Sequence, residues 1–151
     1  MNEETFEKLA IAYPDLFQKA KVGSFDIREG WFDLIDILCG LLSTKVEEAR
    51  DKLHGARNNK KYEDKIPEYE NQLEKALEEL PIITQVKEKF GSLRFYTHGG
   101  TEVMDGYIRF AEQMSCRVCE RCGAPGTFRN DGWIRVLCDK HHNEDIAYPG
   151  N

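Results

Sequence analysis

The sequence predicts an α+β fold with N-terminal helices, a projecting helical hairpin, a β-hairpin and a C-terminal segment gathered around two Cys/His pairs. Three observations carry that prediction. Apolar residues recur at helical spacing between Trp31 and Leu53. The period changes to two across residues 82–98, on either side of Gly91-Ser92. Cys119-x2-Cys122 is followed, after fifteen residues, by Cys138-x2-His141. A chain of 151 residues, 40% hydrophobic and 32% charged, has material for a single domain, residues 1–151, with a core of its own.

Residues 3–13 read as a short helix with Phe6, Leu9, Ala10 and Tyr13 on one side, ended by Pro14, after which Leu16 and Phe17 fold onto the core. Residues 21–30, with Gly23, Ser24, Asp26 and Gly30, read as a loop. The core helix, residues 30–42, is apolar almost all round: Phe32, Ile37, Cys39 and Leu41 add to the stripe of Trp31, Leu34, Ile35, Leu38 and Leu42, which predicts a buried central element. Cys39 is expected there as a core thiol. Asp33 and Asp36, three apart on this helix, have no His or third carboxylate beside them and are assigned capping or solvated roles.

Residues 43–80 form the predicted helical hairpin, with a turn at 54–65 and a second helix at 67–80 using Tyr69, Leu73, Ala76, Leu77 and Leu80. Pro81 ends it. Residues 82–98 then make a β-hairpin about a two-residue Gly91-Ser92 turn, which would pair Phe90 with Leu93, Lys89 with Arg94, Glu88 with Phe95 and Lys87 with Tyr96. One face carries Val86, Phe90, Leu93 and Phe95; the other carries Gln85, Lys87, Lys89, Arg94, Tyr96 and His98. After Gly99-Gly100, residues 101–118 read as a helix burying Val103, Tyr107, Ile108, Ala111 and Met114.

Residues 116–142 are the predicted zinc-binding segment. Zn2+ takes four tetrahedral N or S donors, and two pairs with two-residue spacers supply Cys119, Cys122, Cys138 and His141, enough for one structural ion with no open position. Cys116 is read as a spare thiol and His142 as a neighbour, because the two-residue spacer favours His141. Gly123 fits a knuckle turn directly after Cys122. Residues 127–129 and 133–137, about Asn130-Asp131-Gly132, read as a second hairpin, and the whole resembles a treble-clef or ribbon-type zinc finger. Four of the five cysteines fall in this segment, which favours metal over disulfides.

Charge narrows the function classes. The net charge is −6, but the first 83 residues hold 12 Lys/Arg against 18 Asp/Glu, whereas residues 84–142 hold 9 against 7. An acidic body disfavours bulk binding to nucleic acid and leaves room for a local basic face. No apolar run reaches the ~18 residues of a membrane span, and the opening residues are acidic where a signal peptide is basic and then apolar. The expectation is a soluble cytoplasmic protein with no membrane partner. The hairpin face of Lys87, Lys89, Arg94, Tyr96 and His98 is the predicted recognition surface for an anionic target. Arg109, Arg117, Arg121, Arg129 and Arg135 lie on the following helix and zinc segment and favour a functional role, since Arg suits bidentate phosphate or carboxylate recognition.

The combination of Gly30-Trp31-Phe32-Asp33-Leu34-Ile35, then Gln85-Val86-Lys87-Glu88-Lys89-Phe90-Gly91-Ser92-Leu93-Arg94-Phe95-Tyr96, then the four-donor segment resembles a family of small, functionally unassigned bacteriophage and prophage proteins. The resemblance covers residues 30–141 and is weakest across 43–80. It implies a phage product acting in the bacterial host cytoplasm and carries over no catalytic residue. The reading is a non-enzymatic, zinc-stabilised binding protein, a regulator or inhibitor of a host factor or defence system. One alternative is capture of a small anionic nucleotide, as a sponge-type anti-defence protein. Another is an HNH-like nuclease built from Asn130, His141, His142 and Asn143; its pattern fails because residues 126–137 lack the general-base His such an enzyme carries on its hairpin.

Overall fold

The computed structural model describes residues 1, 3–130 and 132–147, and the fold is α+β: six helices and two small antiparallel hairpins. Helix α1 is Glu3–Ala12. Pro14 does more than end it, because proline suits the first turn of a helix, and α2, Pro14–Gln18, starts there and buries Leu16. A 3-10 turn, Glu29–Trp31, leads into α3, Phe32–Arg57. At 26 residues α3 is about 39 Å long. Its buried stripe of Ile35, Leu38, Cys39, Leu42, Val46, Ala49, Leu53 and Ala56 follows the helical repeat down its full length. The all-round burial expected for residues 31–42 does not hold: Ile37 is 63% exposed and Leu41 39%, since they lie off the stripe that the other elements cover.

The predicted turn at 54–65 is shorter than expected. Helix α3 runs on to Arg57, and a 3-10 turn at Lys60–Lys65 hands over to α4, Ile66–Glu79. Lys45 pairs with Glu79 at 3.0 Å and Arg57 with Glu70 at 2.7 Å, which sets the two helices antiparallel.

Strands β1, Ile82–Lys89, and β2, Ser92–His98, form the first hairpin. Its register differs from the expected one by two residues: Glu88 faces Leu93, Lys87 faces Arg94 and Gln85 faces Tyr96, about a turn centred on Phe90-Gly91. Both central residues have positive φ, 52° and 72°, as a type I′ turn requires. A shift of two keeps each side chain on its expected face, but Phe90 moves into the turn and is 68% exposed rather than buried. An irregularity between Ile83 and Gln85 breaks the alternation, so Ile83 joins the buried side with Val86, Leu93 and Phe95.

Neither edge of this ribbon is bare. Residues 21–30 run beside β1: the Lys21 amide donates to the Ile83 carbonyl, the Asp26 amide to Val86, and the Glu88 amide to Asp26. The segment expected to be loop thereby buries Phe25 and Ile27. On the other edge stands α5, Glu102–Ser115, capped by the Thr101 hydroxyl. Ser115 Oγ accepts from the Leu93 amide at 2.8 Å and Glu112 Oε1 from Phe95 at 3.0 Å. This helix buries Met104, Ile108, Ala111 and Ser115; Val103, expected inside, is 57% exposed because the face is set one residue later. Phe6, Phe17, Phe25 and Phe95 pack in the core between these layers with ring centroids 5.1–6.2 Å apart, edge-on except for the tilted pair Phe17–Phe25. Strands β3, Thr127–Arg129, and β4, Arg135–Leu137, form the second hairpin, and α6, Asp139–Ala147, follows. Trp133 and Ile134, read as strand, lie in the connection, and Asp131 falls outside the described residues. Among the described residues no helix is long and apolar enough to cross a membrane.

Candidate metal centre

The chain leaves α5 and folds back on itself over residues 117–126. The Cys119 amide donates to the Ala124 carbonyl at 2.8 Å, Gly126 to Arg117 at 2.8 Å and Gly123 to Cys119 at 2.9 Å. Gly123 has φ +77°, the left-handed conformation that lets the turn close after Cys122. The Glu120 amide donates to Val136, tying this knuckle to β4. Cys138 stands just before α6, and His141 lies in its first turn.

Backbone geometry therefore brings Cys119, Cys122, Cys138 and His141 together, with all four donor atoms within 4.8 Å of one another. The donor separations test whether a metal fits. With Zn–S near 2.3 Å and Zn–N near 2.05 Å, a tetrahedron has S–S edges of about 3.8 Å and S–N edges of about 3.6 Å. Cys122 Sγ lies 3.9 Å from Cys138 Sγ, and His141 Nδ1 lies 3.4 Å from both Cys119 Sγ and Cys138 Sγ. These are ligand–ligand edges, and the cluster could hold one metal ion, zinc included. His141 Nε2 faces Glu144 Oε2 at 3.8 Å, so a carboxylate lies on the far side of the ring, where it can fix the tautomer that leaves Nδ1 for metal.

The electrostatics agree. Burial alone would raise the Cys119 thiol, but backbone N–H groups of Cys138, Arg121 and Cys122 and the His141 ring outweigh it and bring it down to about 6. At neutral pH that favours the thiolate a metal needs. Cys116 is outside the cluster: half-buried, its Sγ lies 3.7 Å from the Glu112 carbonyl. His142 is also outside it. Cys39 is fully buried, and burial first, with Asp36 second, pushes its thiol well above the ordinary range. Asp36 accepts from the Tyr13 hydroxyl at 2.9 Å, a structural role, while Asp33 is exposed in the first turn of α3.

The centre is bolted to the N-terminal core. The Gly30 amide donates to the Glu120 carbonyl at 2.9 Å, and Trp31 Nε1 donates to the Val118 carbonyl at 2.9 Å. A Cβ on Gly30 would overlap the Cys119 carbonyl oxygen and stand 2.5 Å from the Glu120 carbonyl carbon and 2.6 Å from the Cys122 amide nitrogen. Sequence reasoning treated Gly30 as the end of a loop. Its signals in the sequence are its place directly before Trp31 and at the head of the Gly30–Ile35 motif, neither of which points to the knuckle.

The basic residues divide into two groups. Arg121 and Arg135 both reach Asp145, at 2.6 and 2.5 Å; Arg129 meets Asp139 at 2.5 Å, and Arg28 meets Glu120 at 3.2 Å. Arg121, Arg129 and Arg135 are thus each paired with a carboxylate of α6, Arg121 and Arg135 sharing Asp145. Arg109 and Arg117 are exposed. Lys87 and Arg94 sit directly opposite each other, and among the described residues no carboxylate pairs with Lys87, Lys89 or Arg94. The ammonium of Lys87 lies 5.6 Å from the Tyr96 ring centre, and that of Lys89 lies 5.6 Å from Phe90. Tyr96 and His98 are exposed beside them. Comparison with protein-family models, curated proteins and solved structures finds no match.

Proposed function

We propose that the protein is a non-enzymatic binding module held together by one structural zinc, and that it acts through the outward face of its first hairpin. The metal reading rests on four protein donors within 4.8 Å of one another, three of whose separations match tetrahedral edges, a set that would suit a closed four-ligand shell. In this reading Cys119, Cys122 and Cys138 supply thiolates and His141 its Nδ1, and the ion contributes folding energy.

The observation that carries the binding role is the contrast between the two groups of cations. In the metal segment each of Arg121, Arg129 and Arg135 has an acidic partner, whereas Lys87 and Arg94 face each other with none among the described residues. Like charges directly opposed destabilise a hairpin by a fraction of a kcal/mol. An anionic surface laid across Lys87, Lys89, Arg94, Tyr96 and His98 removes that repulsion. The host of this activity is a bacterial cytoplasm and the partner an acidic host or defence-system protein, in keeping with a phage-encoded regulator or inhibitor.

The test is capture from bacterial lysate with the intact protein and Arg94→Ala as parallel baits, followed by mass spectrometry of proteins and small molecules. Loss of a charge-assisted contact should weaken target binding by about 1–3 kcal/mol, and added salt should weaken it further. A bound nucleotide in place of a protein would make the face a small-ligand trap. An Arg94→Ala variant that melts early yet keeps every interaction would make the face a structural surface and refute the proposal.

A further inference from the structure

Where the two hairpins meet, aromatic rings are left in solvent. Gly91, in the turn of the first hairpin, lies so close to the second that a Cβ on it would stand 3.0 Å from the Phe128 ring. Beside this contact Phe90, Gly132, Trp133 and Ile134 line an apolar notch of about 180 Å³. Trp133 is 72% exposed and Phe128 53%. The notch is smaller than the pockets that enclose whole small ligands, and its size and lining suit one large apolar side chain.

Phe90 stands there against its local preference. It takes the first central position of the type I′ turn at φ 52°, where Asn or Gly is favoured and a bulky side chain is strained. Its largely exposed ring recovers little by burial within the chain. Neither turn geometry nor core packing accounts for a phenylalanine at this position, whereas a contact made with another molecule does. The notch also adjoins the basic face. The Lys89 ammonium lies 5.6 Å from the Phe90 ring centre, and the neighbouring Glu88 carboxylate is turned to the Gly91 amide. Lys89, and beyond it Lys87 and Arg94, therefore bring to its edge positive charge that no carboxylate among the described residues pairs.

We propose that this notch is the anchor point of the basic face. Its occupant is an acidic protein segment that inserts one large apolar side chain between Phe90 and Trp133, while flanking Asp or Glu residues lie along Lys89, Lys87 and Arg94. This rests on the reading of the face as a surface for an acidic partner and adds a source of affinity: exposed charge pairs contribute little each, whereas a few aromatic anchors carry most of an interface. Single-stranded nucleic acid fits less well, because a lysine ammonium already lies over the rings of Phe90 and Tyr96, on which bases would stack.

Selection of a random peptide library on the full-length, zinc-loaded protein tests this, with the enriched peptide then titrated by fluorescence anisotropy. Enriched sequences should share one Leu, Ile, Met or aromatic residue flanked by Asp and Glu. The peptide should also shield the protein from acrylamide quenching, since Trp31 is fully buried and the quenchable emission is that of Trp133. Trp133→Ala should weaken the peptide at least about tenfold. Phe90→Asn should weaken it comparably while leaving the melting temperature equal or higher, because Asn-Gly relieves the turn. The inference is overturned by a lack of enrichment, by enriched peptides without the apolar residue or its acidic flanks, by a lowered melting temperature in Phe90→Asn, or by oligothymidylate of equal length binding more tightly than the peptide. Peptides that need Arg94 but neither Phe90 nor Trp133 overturn the notch and keep the face. Peptides indifferent to Arg94→Ala and to added salt overturn the reading of the face, and this inference with it.

Discussion

Replacing Gly30 with alanine adds one methyl group at the point where the N-terminal core meets the metal knuckle. The φ of Gly30 lies outside the left-handed region, so the effect is steric alone. The new carbon would stand 2.5 Å from the Glu120 carbonyl carbon and 2.6 Å from the Cys122 nitrogen, so the knuckle must retreat by about 1 Å to reach van der Waals distance near 3.5 Å. Overpacking of this kind costs about 1–3 kcal/mol. The retreat also breaks or stretches two hydrogen bonds, Gly30 N–H to Glu120 and Trp31 Nε1–H to Val118, both 2.9 Å in the native protein, at about 1 kcal/mol each. The sum, about 3–5 kcal/mol, corresponds to a fall in melting temperature of roughly 10 °C for a chain of this size. Zinc affinity should fall with it, since Cys119 and Cys122 lie in the displaced turn. Differential scanning fluorimetry with and without a chelator, alongside a colorimetric zinc-release assay, reads both quantities. A Gly30→Ala protein with native melting temperature and native zinc retention would show that the two halves do not bear on each other as described.

Thiol counting separates the cysteines: with zinc bound, Ellman's reagent should react readily with Cys116 alone, and chelation should expose Cys119, Cys122 and Cys138 while Cys39 stays inert until unfolding. Metal analysis should give about one zinc per chain, lost in Cys122→Ser and Cys138→Ser and retained in Cys116→Ser; loss in Cys116→Ser would refute the ligand set. Trp31→Ala removes a fully buried side chain and should cost about 3–5 kcal/mol, seen in urea unfolding, whereas an unchanged midpoint would mark Trp31 as dispensable to the core. Burial of the Tyr13 phenol, reinforced by Asp36, pushes it up to about 12. The unfolded phenol ionises near pH 10, so stability should be intact below about pH 10 and fall as pH rises towards 12, and Tyr13→Phe should flatten that decline.

What the sequence disclosed depended on how local each determinant is. The metal ligands were legible because both pairs are set by two-residue spacers, and Gly123 reports the turn between them. The α3 stripe was legible because eight apolar residues recur on one face over about six turns of one helix. The hairpin faces were legible from alternation, but the register was not: Gly91-Ser92 and Phe90-Gly91 are both two-residue turns, and the second requires a phenylalanine at φ 52°. Across from it Gly91 abuts the Phe128 ring, at 3.0 Å from where a Cβ would sit, a contact from the second hairpin that no local pattern encodes. Phe25 and Ile27 were hidden for a similar reason. Their segment has the composition of a loop, and only its pairing with β1 buries them. The neutralised arginines were missed because Asp145 lies ten or more residues from either partner, beyond any spacing rule. Glu120 carried no signal beyond its place between two ligands.

The covered edges of the first hairpin constrain how any partner can attach. The Leu93 and Phe95 amides on the outer edge of β2 are taken by Ser115 and Glu112, and β1 is bordered by residues 21–26, so among the described residues these stretches offer no free main chain to an incoming strand. A partner cannot extend this ribbon by strand addition, the route by which many extended peptides dock with little regard for their sequence. It must be read by side chains projecting from the face, which makes recognition depend on chemical identity. The same closure keeps two copies of the protein from zipping together edge to edge at high concentration, as open two-stranded ribbons do.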